Sequence, residues 1–162
     1  MIHVGNPRRY RRLPPVERLV SLVFAIFGKD GARELRLDYE PSQRLIRMWY
    51  VVEGVPYEMV PPPGELWPDL LQVFWRATRF EPTNRPPWWA WFRKHARFPD
   101  VPVFGMLPVR FGSTTVEFDI LYFRGPTGEH IVAELNNPSD VASLAAGFLR
   151  QTLRPDGTSG LD

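Results

Sequence analysis

The chain has 162 residues, with 44% hydrophobic and 14% aromatic content, enough for one globular domain that buries a sizeable core. It contains no cysteine, which excludes disulfides, thiolate metal sites and thiol nucleophiles and fits a reducing, cytoplasmic setting. A net charge of +2 is too balanced for a dedicated nucleic-acid binder.

Residues 1–13 read as a flexible basic arm, with Arg8, Arg9, Arg11 and Arg12 flanking Tyr10. The apolar run Leu19–Phe27 behind it imitates a signal peptide. Prolines and Glu17-Arg18 separate the charges from that run, no small-x-small cleavage site follows, and it is too short to span a bilayer. The expectation is a core helix and no membrane span. Pro14-Pro15 opens that helix, from about Val16 to Phe27. Val16, Leu19, Val20, Val23, Ile26 and Phe27 form its apolar stripe. Gly28 is the predicted stop and Gly31 a second break.

Glu34–Tyr39 alternates as a strand does, and Pro41-Ser42-Gln43 turns the chain into a longer strand, Leu45–Val52. Glu53-Gly54 suits a tight hairpin, with Val55–Val60 returning. After Pro61-Pro62-Pro63-Gly64 comes a helix over about Glu65–Thr78, with Leu66, Leu70, Val73 and Phe74 inward. Prolines break it, and Trp88–Arg97 reads as a short helix. Val101–Leu135 then forms a three-stranded meander. Its middle strand sets Val116, Phe118, Ile120 and Tyr122 against Glu117, Asp119, Leu121 and Phe123. Asn136-Asn137-Pro138-Ser139 closes the last strand and caps a final helix with Val141, Leu144, Ala145, Phe148 and Leu149 on one face. Residues 154–162 read as a disordered tail. With no repeat and no internal boundary, residues 14–153 are predicted to form a single α+β domain.

Several stretches, taken together, match one pattern. Ala32–Asp38 stands where a small residue followed by Ser-Asp-Ile-His-Ile-Glu is expected, and Val51–Val55 where Arg-Ile-Asp-Gly-Val is. Pro61-Pro62-Pro63 leads into a helix. Phe104-Gly105-Met106, Val116–Leu121 and Gly128–Val132 then fall, without gaps, on Asp-Gly-Arg, Val-Asp-Leu-Arg-Val-Ser and Gly-Glu-x-x-Val. In this the chain resembles the N-terminal, PAS-like domain that precedes the motor in type II secretion and type IV pilus assembly ATPases. The resemblance covers about residues 30–135. It implies a PAS-like antiparallel sheet of about five to six strands with helices packed on it.

The departures bear on function. The family's arginines on this domain reach the motor's nucleotide, a task suited to a planar, permanently charged fork. Met106, Asp119 and Glu134 occupy the matching positions here, and a carboxylate repels a triphosphate. Losing such an arginine costs on the order of a thousandfold in phosphoryl transfer. Arg36 replaces the first strand's histidine. No G-x-x-x-x-G-K-S/T occurs: Gly125-Pro126-Thr127-Gly128 is followed by Glu129-His130, and Gly28-Lys29 lacks the earlier glycine. The resemblance therefore implies a domain standing without its motor, neither binding nor hydrolysing nucleotide.

No other chemistry assembles in the sequence. Glu117, Asp119 and Glu134 can share a sheet face, as an acid pair, a magnesium site, or an ordinary arginine-paired surface with Arg110 and Arg124 as partners. His3, His95 and His130 lack metal-ligand spacing, and Ser113, Ser139 and Ser143 lie in no nucleophile elbow. No cofactor is implied. The arginine arm carries the Arg-x-x-x-Arg spacing of PilZ-type cyclic-dinucleotide binders, without the glycine of their second motif. Residues 81–100 look inserted and hold Pro86-Pro87-Trp88-Trp89-Ala90-Trp91-Phe92-Arg93. On a helix Trp89 and Arg93 project away from the other rings, the composition of an interface hot spot. The expectation is a cytoplasmic, non-enzymatic regulatory or adaptor domain working through a protein partner. A motor component of a secretion or pilus system is the concrete case. A small-ligand or dinucleotide sensor, and a nucleic-acid binder using the arm, are the alternatives.

Overall fold

The computed structural model describes residues 1–5, 10–80 and 101–137. The helices expected over Trp88–Arg97 and after Ser139, the inserted segment 81–100 and the tail 154–162 lie outside the described residues. The rest is α+β, as expected: a sheet with two helices packed on it. In chain order the elements are β1 (Ile2–Val4), α1 (Pro15–Asp30), β2 (Glu34–Glu40), β3 (Leu45–Val52) and β4 (Val55–Met59). A 3-10 turn over Gly64–Leu66 leads into α2 (Trp67–Ala77) and β5 (Arg79–Phe80). The meander follows as β6 (Val103–Phe111), β7 (Thr114–Gly125) and β8 (Gly128–Leu135).

The strands make one eight-stranded sheet in the order β1-β6-β7-β8-β2-β3-β4, with β5 also paired to β6. All pairings are antiparallel except β1 with β6. Eight strands exceed the five to six expected, because both short ones, β1 and β5, went unread. Nor is the N-terminus an arm throughout: Ile2, His3 and Val4 pair with Val109, Arg110 and Phe111. Ile2 and Val4 are buried, and that burial fixes three residues too few to show any periodicity.

Local chemistry explains the element ends. Pro15 lies in the first turn of α1, where a missing N–H is harmless. The helix runs through Gly28 and stops at Gly31, which adopts a left-handed φ of 67° and returns its N–H to the Phe27 carbonyl. Gly28 disfavours a helix by only about 1 kcal/mol relative to alanine, less than the packing of the buried Phe24 and Phe27 just before it supplies. The buried stripe is accordingly Val20, Ser21, Val23, Phe24 and Phe27, while Ile26 is only half-buried. At the Glu53-Gly54 turn both residues have positive φ, the geometry whose twist matches a two-residue hairpin.

Both helices cover the sheet face that carries Val116, Phe118, Ile120 and Tyr122. Phe24 and Phe27 meet Phe118 edge-on at 5.3 and 5.2 Å, and Phe24 lies 6.1 Å from Phe74 of α2. Leu35, Leu37, Ile46, Met48, Ile131 and Ala133 complete this layer. One polar group enters it with partners. The Thr78 hydroxyl donates to the Phe74 carbonyl at 2.8 Å, leaving its oxygen to accept from the buried Tyr122 hydroxyl at 2.7 Å. Burial pushes the Tyr122 phenol well above its ordinary range. Among the described residues no helix is long and apolar enough to cross a membrane.

Candidate functional site: the second face of the sheet

Side chains alternate across a strand, so the residues between those core positions point to the opposite face. Register then stacks them into rows that run across the strands. In the first row Met106, Asp119, Glu134 and Glu34 follow one another on β6, β7, β8 and β2, with Arg79 of β5 beyond Met106. Phe104, Leu121, Val132, Arg36 and Trp49 form the second. Phe123, His130, Asp38 and Arg47 form the third.

Between the first two rows lies a groove of about 780 Å³, lined among others by Arg79, Phe80, Phe104, Met106, Leu121 and Val132, with Asp119 and Glu134 along one side. Gly105 is part of its floor. A Cβ there would come within 2.5 Å of the Thr78 Cγ2 and 2.9 Å of the Arg79 carbonyl oxygen, so only glycine lets β5 lie this close against β6. Phe104 is 55% exposed, an unusual position for a phenylalanine at the lip of a groove.

The acids of this face are unevenly compensated. Arg36 forms a close ion pair with Glu34, Arg79 lies 3.8 Å from Glu117, and Asn136 donates to Asp119 at 2.9 Å. Among the described residues no cation reaches Glu134. Yet Glu134 stands directly opposite Asp119 on one side and Glu34 on the other, an arrangement of like charges that weakens a sheet. The expected partners Arg110 and Arg124 do not serve. Arg110 donates to the Gly112 carbonyl, and Arg124 points to the helix-covered face and pairs with Glu129 at 3.4 Å. Alternation explains the miss: Arg124 is an odd number of positions from Glu117 and Asp119, so the pleat sends it to the other side. No group of three or more His, Asp or Glu side chains among the described residues is placed to hold a metal ion.

The third row contains a clasp. His130 stacks on Phe123 at 4.7 Å, its Nδ1 lies 2.5 Å from an Asp38 oxygen, and its Nε2 lies 3.4 Å from the Thr127 hydroxyl. Hydroxyl, imidazole and carboxylate follow the order of a catalytic triad, but the first contact is long for an activated nucleophile. The cluster ties β8 and its turn to β2. Behind it, the Trp67 indole donates to Glu129 at 2.5 Å and stacks on Tyr39 at 5.2 Å, fixing the start of α2.

Met106, Asp119 and Glu134, the positions at which the resemblance led to an expectation of arginine, are consecutive members of one row at the groove. Arg11 and Arg12 are exposed ahead of α1. Arg8, Arg9, Trp89 and Arg93 lie outside the described residues. Sequence reading missed Arg79 and Phe80, whose two-residue strand gives no periodic signal, and the joining of Glu34 to the acidic row. Leu45–Val52 and the meander gave both registers' components, but not that β2 and β8 are neighbours. A scan against protein-family models and a search of curated proteins both find no match for this chain.

Proposed function

We propose that this is a cytoplasmic, non-enzymatic regulatory or adaptor domain that acts through protein contacts made on the second face of the sheet. The groove carries this reading: an exposed phenylalanine, half-buried Leu121 and Val132, and flanking carboxylates form an apolar patch with a polar rim. The strand motifs that resemble the N-terminal domain of secretion and pilus ATPases favour a motor component as the partner. The acidic row favours a contact other than nucleotide, since it would repel phosphates.

A photo-crosslinking residue at Phe104, introduced into the full chain in cells, tests the reading. One reproducible protein adduct, absent when the same residue replaces the exposed Ser42 at the other end of the sheet, is expected. Equal labelling at both positions would sink it. The groove volume also falls within the range of small-ligand sites, so a sensor is the second reading. A metabolite that raises the melting temperature of the parent chain, and no longer does so after Leu121→Arg, would favour the sensor over the adaptor.

A further inference from the structure

Resting on the protein-contact reading, we propose that the groove receives an amphipathic α-helix of the partner protein. The helix lays its apolar side along Phe104, Leu121 and Val132 and holds arginine or lysine side chains over Asp119, Glu134 and Glu34.

Backbone chemistry selects a helix over an extended segment. β7 is paired on both sides, to β6 and β8, and β8 to β7 and β2, so this part of the sheet has no free backbone edge. A strand laid across these rows would bring its own N–H and C=O groups against Leu121 and Val132 with nothing to accept or donate. A helix arrives with those groups already satisfied.

Dimensions agree. The rows cross strands spaced about 4.8 Å apart, so β6 to β2 spans roughly 14 Å, the length of nine or ten helical residues. Residues two apart on a strand lie about 7 Å apart, so a helix about 10 Å across that is centred on the apolar row brings one flank over the acidic row.

Charge sets the sign of that flank. Asp119, Glu134 and Glu34 are successive cross-strand neighbours, and of the three only Glu34 has a guanidinium partner among the described residues. Arg79 is engaged with Glu117. Cations supplied from outside would relieve repulsion that the isolated sheet carries, and an anionic helix would add to it.

The test uses the full chain and three fluorescein-labelled synthetic peptides about eighteen residues long, read by anisotropy. The first is an amphipathic helix with leucine on one face and arginine on one flank. The second carries glutamate in place of arginine, and the third is the arginine peptide broken by two central prolines. The arginine helix should bind at least about tenfold tighter than either control. Asp119→Lys with Glu134→Lys should reverse the preference between the charged peptides. The near-isosteric pair Asp119→Asn with Glu134→Gln should weaken the arginine helix about fivefold or more even if the lysine pair fails to fold.

Equal binding of the proline peptide would show an extended guest and overturn the proposal. So would equal binding of the glutamate helix, binding indifferent to both double variants, or no binding. It also fails if the peptide binds only after residues 138–162 are removed, or if the groove is filled by a second copy, shown by dimerisation that Phe104→Glu abolishes. Peptide failure beside a specific Phe104 crosslink leaves the adaptor reading standing and rejects only the helix. Failure of both rejects both.

Discussion

Tyr50 shows how single contacts couple the two layers. Its hydroxyl donates to Asp30 at the end of α1 at 2.6 Å, and its ring stacks on Tyr57 at 5.6 Å, so one side chain joins the helix terminus to β3 and β4. The hydrogen bond to Asp30, then burial, then the charges of Asp30 and Tyr57 push the Tyr50 phenol up to about 12. A raised phenol stabilises the fold fully below the unfolded value near 10, and that contribution is lost as pH climbs from about 10 to 12. Tyr50→Phe should therefore cost about 1 kcal/mol near neutral pH, with the gap to the parent closing across that alkaline window. Urea denaturation of both chains at several pH values measures the gap. A gap that stays constant to pH 12 would refute the coupling. Tyr122 is shifted the same way by burial in both chains, so the difference between them isolates Tyr50.

At the scale of elements, β1 distinguishes an ordered N-terminus from a trailing arm. Ile2 and Val4 are buried at 6% and 4% exposure, and the chain passes on through Gly5 with the Gly112 N–H donating to the Val4 carbonyl at 3.0 Å. Burying two such side chains is worth up to about 3–6 kcal/mol. Deleting residues 1–5 should lower the melting temperature by several degrees without abolishing the fold, as differential scanning calorimetry would show. An unchanged melting temperature would mean that β1 adds nothing. The other edge is guarded differently. β4 holds Pro56, which has no N–H to offer a further strand. The contact proposed above accordingly uses the exposed second face of the sheet rather than the β4 edge.

Across the whole molecule, the proposed recognition sets stability and binding against each other on the acidic row. Glu134 faces Asp119 and Glu34 with no cation partner among the described residues, so Glu134→Gln should raise the stability of the free chain by a few tenths of a kcal/mol. The same change should weaken the arginine helix. Opposite signs in the denaturation midpoint and the peptide affinity would mark the row as kept for binding, and matched losses in both would mark it as structural.

Much of this was legible in local pattern. Alternation in Val116–Phe123 assigned β7's two faces, Glu53-Gly54 fixed a hairpin, and Leu45–Val52 emerged with the expected bounds. Those features depend on neighbours a few residues apart, which periodicity and turn chemistry report directly. Pairings between distant segments left no such trace. That β2 lies beside β8, bringing Glu34 to Glu134, and that β1 and β5 both join β6, follows from burying one shared layer under α1 and α2. The residues alone determined which side chains each strand would turn to a common face. Only tertiary packing decided which strands stood next to one another, because burial is summed over the whole core, and with that it set three acids in a row beside an apolar groove.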